Sequence, residues 1–257
     1  MGKPDLQPAM DMLSLFVPKG VKRWLRERAL RGDAVWCPVC EQGAAAFLPS
    51  GDPPRPHAMC PFCGSLERTR LTWLYLKERG LPTPGMRVLH IAPDRSLHAR
   101  LSTLKDITYL CGDKHEPGYS WPEGTIDLDV TRLPFPDDWF DVVICSHVLE
   151  HVPDDRTALR ELFRVMKPGG HGVLLVPVDR DRAETFEDPS VTDPEARKRL
   201  FGQADHVRIY GMDYADRLRE AGFRPTIAPA TEGRDAREVF RLGLNAREFL
   251  QAVTKPA

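Results

Sequence analysis

Two fully apolar runs that flank one amphipathic helix constrain this chain most. Phe140–Cys145 (FDVVIC) and Gly172–Val178 (GVLLVPV) bracket a helix-like stretch, Asp154–Met166, within the segment from Asp127 to Pro177. A strand wet on one face alternates apolar and polar residues, whereas a continuous apolar run is buried on both faces. Two such strands joined through a helix imply a parallel sheet with helices packed on it. The helix supports this. Ala158, Leu159, Leu162, Phe163, Val165 and Met166 form its apolar face, and Arg156, Arg160, Glu161 and Arg164 its wet one. Lys167-Pro168-Gly169-Gly170 is expected to stop it with a left-handed glycine cap.

The same alternation extends outward. Strands are expected over Arg87–Ile91, Ile107–Cys111, Ile126–Val130, Phe223–Ala228 and Glu248–Val253. Helices are expected over Ser96–Lys105 and over Tyr214–Ala221, the latter closed by Gly222. The fold class is therefore α/β, and its ligand belongs beyond the carboxyl ends of the strands. Those ends carry His90, Ala92, Pro93, Asp94, Asp113, Asp129, Val130, Ser146 and His147. Three acids there suit a ligand with hydroxyls, an exocyclic amine and a cationic centre. They suit pyrophosphate badly, and neither GxGxxG nor GxxxxGK[ST] occurs.

A different chemistry precedes this domain. Cys37-x2-Cys40 and Cys60-x2-Cys63, 19 residues apart, have the spacing of a four-thiolate zinc ribbon. Pro38 and Pro61 stiffen the knuckles, and Gly64 follows the second where a positive φ is expected. The segment between them is too short for a core of its own, so metal would replace one. Unligated thiols or a redox pair are the alternative. His57 is a spare ligand, but four thiolates fill a tetrahedron, which makes the zinc structural. Cys111 and Cys145 lie in strands and read as buried filler. Ser65 is the expected N-cap of a helix over Ser65–Arg79, with Leu66, Thr69, Trp73 and Leu76 on one stripe and Gly80 and Pro82 ending it. Upstream, Gly20–Arg31 has helical spacing and five basic residues. It reads as a solvated face docked through Trp24 and Leu25, with an RNA-contacting surface as the alternative. The expected division is an extension over 1–33, a ribbon over 34–66, a connecting helix over 67–84, and the α/β domain over 85–257 with an insert over 179–211.

The net charge of −1 across 257 residues gives no overall attraction to nucleic acid or membrane. No apolar run approaches a membrane span, and the N-terminus reads as a poor secretory signal, so a cytoplasmic protein is expected.

The run DVTRLPFPDDWFDVVICSHVLEHVPDDRTALRELFRVMKPGG, the strand GVLLVPV and the later HVRIYGMDYADRLREAGF resemble the class I S-adenosylmethionine-dependent methyltransferases of the type 11 group. The resemblance covers about 86–254. It implies a Rossmann-like seven-stranded sheet, mostly parallel, with an antiparallel last strand inserted near one edge. It implies S-adenosylmethionine as cofactor, Asp113 on the ribose hydroxyls, Asp129 on the adenine amine, and Ser146, His147 and Val148 beside the methionine end. The family's first loop is usually Asp-x-Gly-x-Gly-x-Gly. Here His90–Leu97 has no glycine, so the backbone must take another path, with Asp94 or Ser96 assisting.

The acceptor is expected to be a small molecule or a carrier-bound metabolite. The alternative is RNA, methylated or merely bound through the ribbon and basic helix. Candidate bases are His147, His151, His206 and Tyr210, with Glu150, Asp205 and Arg208 nearby. His147 and His151 lie one turn apart if their segment is helical. The expectation is that His151 packs at the helix start while His147 lines the cofactor pocket, with a base pair equally open and a metal pair as the lesser alternative. The charged insert 179–211 is expected to cover the acceptor.

Overall fold

The computed structural model describes residues 28–116 and 118–257. Most of the basic segment at 20–31 therefore lies outside the described residues. Residues 28–30 are helical, and Arg31 already begins the first strand.

The ribbon consists of two short antiparallel pairs. β1 (Arg31–Cys37) pairs with β2 (Gln42–Ala44), and β3 (Leu48–Ser50) with β4 (Arg55–Met59). Its two knuckles are the same turn. Glu41 N donates to Cys37 O at 2.9 Å and Gly64 N to Cys60 O at 3.0 Å. Both turns need a left-handed residue after the second cysteine. Gly64 supplies it at φ 78°, and Glu41 takes it at φ 56° despite its side chain.

Helix α1 (Glu67–Glu78) follows, and Ser65 does not cap it. Its N-cap is Leu66, with no side-chain hydrogen bond. The Ser65 hydroxyl is instead 3.1 Å from Cys37 Sγ and 3.3 Å from Cys63 Sγ. A cluster of buried sulfurs has the greater need of a polar neighbour. The Glu67 carboxylate takes two bonds from Arg55, fixing the start of α1 to β4.

The α/β domain runs β5 (Arg87–Ile91), α2 (Arg95–Leu101), β6 (Thr108–Asp113), β7 (Ile126–Asp127), β8 (Phe140–Ser146), α3 (Asp155–Val165), β9 (Met166–Leu175), β10 (Phe186–Glu187), α4 (Pro194–Phe201), β11 (Arg208–Ile209), α5 (Tyr214–Glu220), β12 (Arg224–Pro229), α6 (Ala236–Leu242) and β13 (Phe249–Thr254). Seven strands form one sheet in the order β12-β13-β9-β8-β5-β6-β7. The pairs from β9 through β7 are parallel, while β13 lies antiparallel between β12 and β9. This is the expected α/β class with its seven-stranded methyltransferase sheet.

The expected helix stop at Lys167–Gly170 is not one. Helix α3 ends at Val165, and Met166, at φ −78° and ψ 138°, is already the first residue of β9. The four residues bulge out of the strand, shifting its register between the pairs Phe140↔Met166 and Val142↔His171. The end of β13 captures the bulge. Gly169 N donates to Lys255 O at 2.9 Å and Lys255 N to Gly170 O at 3.1 Å. The Gly169 φ of 74° thus serves a bulge rather than a helix cap.

Two cores share the sheet. On one face Val143, Cys145 and Leu174 pack with Ala158, Leu159 and Leu162 of α3 and Leu218 of α5. On the other, Val88, Val142, Ile144 and Val173 share a core with Leu97 and Leu101 of α2, Trp73 and Leu76 of α1, and Val35, Val39 and Phe47 of the ribbon. The ribbon is therefore part of the cover of the sheet. Arg70, fully buried, locks this arrangement by donating to Ser65 O, Ala58 O, Leu242 O and Gly243 O.

Candidate functional site

A cleft of about 730 Å³ opens at the carboxyl ends of β5, β6, β7 and β8. Its lining includes Ile91, Ala92, Asp113, Trp121, Asp129 and His147. β5 ends there in a turn that needs a left-handed residue. Ala92 adopts the required backbone, at φ 49°. Alanine is the side chain that can enter this region with least bulk after glycine, and Ala92 N donates to Gly112 O at 2.8 Å, holding the turn against β6.

Asp113 ends β6 half-buried. Its Oδ1 accepts from Lys114 N at 2.8 Å and its Oδ2 from Trp121 Nε1 at 3.0 Å. Burial pushes its carboxyl above the usual range, against the pull of the Trp121 bond. Trp121 also stacks on His115, with ring centroids 4.3 Å apart. Sequence reasoning missed Trp121. The only signal was an aromatic residue in a Gly/Ser/Pro-rich loop just past an acidic strand end. Asp129 lies beyond β7, where the Thr131 hydroxyl and amide hold its carboxyl below the usual range. Val130 lines the cleft beside it.

His147, directly after β8, is left-handed at φ 56°. Such strain in a side-chain-bearing residue marks functional segments. Its Nδ1 is 3.1 Å from Glu150 Oε1. The segment to His151 is a run of turns rather than helix, so His147 and His151 do not form an i, i+4 pair. His151 Nδ1 instead meets Asp205 Oδ2 at 3.2 Å, and its ring packs edge-on against His206 at 4.7 Å between centroids. His206 is buried, with Nδ1 3.1 Å from Phe201 O. Burial and the neighbouring His151 push its pKa down.

Five other residues expected at the site do not line the cleft. His90 is buried, its Nδ1 3.0 Å from the Tyr109 hydroxyl on the ribbon side of the sheet, and burial lowers its pKa to about 4. Alternation along β5 places it opposite Leu89 and Ile91. The Asp94 carboxylate caps α2 through Ser96 N and Leu97 N and accepts from Thr69 Oγ1, and unlike Asp113 it does not line the cleft. Pro93 and Ser146 do not line the cleft. Tyr210 is fully buried, donating to Asp155 Oδ2 at 2.7 Å, which takes it out of reach of any acceptor.

The insert 179–211 contributes Arg197 and Asp205 to the cleft. Its hairpin, β10 with β11, is clasped by Arg208, which donates to Glu187 and to the carbonyls of Leu149, Val152 and Pro153. Arg208 thereby holds the loop that carries Glu150 and His151.

The four knuckle sulfurs form a second centre. One Sγ from each of Cys37, Cys40, Cys60 and Cys63 lies within 4.8 Å of the others, and all six cysteines are free thiols. The Cys37–Cys63 and Cys40–Cys60 separations are both 3.7 Å. Hydrogen bonds from the other three thiols, Cys40 first, push the Cys37 thiol down. This donor set could hold a zinc ion.

Fold and cleft together define the class I methyltransferase architecture. Residues 94–174 match the family model described as a methyltransferase domain. Over 50 residues it is 48% identical to the ubiquinone/menaquinone biosynthesis C-methyltransferase UbiE of Vibrio campbellii, covering 20% of this chain and 19% of that protein. Over 63 residues it is 48% identical to the demethylmenaquinone methyltransferase of Streptomyces avermitilis, covering 24% of this chain and 26% of that one. The chain thus spans about a fifth to a quarter of the length of the curated relatives it matches. Among solved structures, the [4+2]-cyclase SpnF is similar in fold, with a TM-score of 0.51 and 17% identity over 75% of this chain and 84% of that one.

Proposed function

We propose that the protein transfers a methyl group from S-adenosylmethionine to a small or carrier-bound acceptor. One observation carries this reading. A half-buried carboxylate, Asp113, stands at the end of β6 in a cleft whose first turn is held open by a left-handed Ala92. A ribose diol needs such an acceptor. The fit holds elsewhere in the cleft, where Asp129 offers an acceptor for an exocyclic amine and Leu128, Val130 and Val148 supply apolar walls. When bound, the cofactor supplies an electrophilic methyl on a sulfonium. The chain's own residues do the remainder. Their main task is to position the acceptor's nucleophile against that methyl. His147, fixed by Glu150, is the base placed to take the acceptor's proton.

The division into ribbon, connecting helix and catalytic domain belongs to this reading, with the ribbon's zinc structural. So does a place in the cytoplasm. Among the described residues, no helix is long and apolar enough to cross a membrane.

Isothermal titration of S-adenosylhomocysteine into the protein and its Asp113→Ala variant tests the proposal. Loss of two hydrogen bonds at a half-buried site weakens binding by about 1–3 kcal/mol. Equal affinity for the two proteins overturns the assignment of Asp113, and no binding to either overturns the cofactor.

A further inference from the structure

Glu150, His151 and His206 converge beside the cleft from two separate segments. One ligand atom from each lies within 4.8 Å of the others. Glu150 is 1% exposed, and its two oxygens differ. Oε1 meets His147 Nδ1, while Oε2 is buried with no hydrogen-bond partner. An unpartnered buried carboxylate oxygen is costly, and native structures rarely keep one without a reason.

Both imidazoles are oriented as ligands. The Phe201 carbonyl can only accept, so His206 Nδ1 donates to it and Nε2 keeps its lone pair. His151 Nδ1 donates in the same way to Asp205 Oδ2. A carboxylate or carbonyl behind each ring is the arrangement that fixes metal-binding histidines. Arg208 and the Val207 N bond to Glu150 O at 2.9 Å hold the two segments together.

We propose that Glu150 Oε2 and the Nε2 atoms of His151 and His206 bind a divalent first-row transition ion, distinct from the ribbon site. Two imidazoles and one carboxylate leave open coordination positions. Of the three ligands His151 lines the cleft, while Glu150 and His206 are buried, so the side of the ion open to a further ligand is the His151 side. There the ion takes an oxygen ligand, a hydroxyl or carboxylate of the acceptor. That last step rests on the methyl-transfer reading, whereas ion binding does not.

The test uses the zinc-loaded full-length chain titrated with Co²⁺ and followed by visible absorption. A saturable signal without thiolate charge-transfer bands is expected. It is weakened at least tenfold in Glu150→Gln and in His151→Ala, the latter half-exposed and safe for folding, and is retained in Asp113→Ala. Adding acetate to the Co²⁺ form is expected to shift the bands as an oxygen donor enters an open position. Absence of a saturable signal, or unchanged affinity in both variants, overturns the site. A spectrum indifferent to acetate overturns the open positions. Titration with S-adenosylhomocysteine on the same protein is read separately, so a failed cofactor and a failed ion are told apart.

Discussion

Asp155→Ala is the substitution with the largest consequence away from the cleft. Asp155 opens α3 and is 3% exposed. It accepts from Tyr210 at 2.7 Å and from Arg217 at 2.9 Å, and Arg208 Nε lies 3.8 Å away. Glu187 faces the same two arginines from β10, at 2.8 Å and 3.0 Å. Two cations and two anions thus balance, and removing Asp155 leaves one buried positive charge. Breaking a buried pair on one side costs about 3–5 kcal/mol. Glu187 stays in place to share the load, and Tyr210 keeps a 3.3 Å bond to Leu149 O, so the lower end, about 3 kcal/mol, is expected. The Glu187 carboxylate is more exposed, so Glu187→Gln should cost less, about 1 kcal/mol. Adding Arg217→Met to Asp155→Ala removes the surplus charge and should recover part of the loss. Urea unfolding at neutral pH measures all five proteins: the unaltered chain, Asp155→Ala, Glu187→Gln, Arg217→Met and the double variant. A loss under about 1 kcal/mol for Asp155→Ala, or a double variant less stable than the sum of its singles, refutes the charge-balance argument.

Two further perturbations test other parts of the fold. Cys60→Ser should lower bound zinc by one equivalent, measured by elemental analysis, and shift the tryptophan fluorescence to the red, because the Trp73 indole lies in the core the ribbon shares with the sheet. Unchanged metal content would count against the ribbon. His90, whose pKa falls to about 4 through burial, charges more readily when unfolded. Its contribution is present above the unfolded value near 6.5 and is lost as pH falls toward 4, about 3 kcal/mol over that window. His90→Gln should flatten the stability profile there, and an unchanged slope removes His90 as its cause.

Much of this could be read from the chain. Apolar runs at Phe140–Cys145 and after Gly172 announce buried parallel strands because their period is local. The knuckles are legible because Cys-x2-Cys fixes the turn that aims the sulfurs. Helix α3 was legible in its faces but not in its end. Whether Gly169 caps a helix or bulges a strand depends on β13, some eighty residues later. Ser65 shows the same limit, since its cap role was plausible until the sulfurs came within reach. Strand ends named the cleft residues, but alternation along β5 turned His90 away, and capping of α2 used up Asp94. Trp121 and the unpartnered oxygen of Glu150 carry no sequence signal of that kind.

The sequence by itself determined the α/β class, the two cysteine knuckles and the acids at the strand ends, because each follows from short-range periodicity or spacing. Only the tertiary structure decided that the ribbon covers a face of the sheet, that Ala92 takes the turn glycine usually takes, and that His206 meets Glu150 and His151 rather than His147. Those outcomes depend on contacts between segments far apart in the chain, and their free energies appear only once the segments are packed.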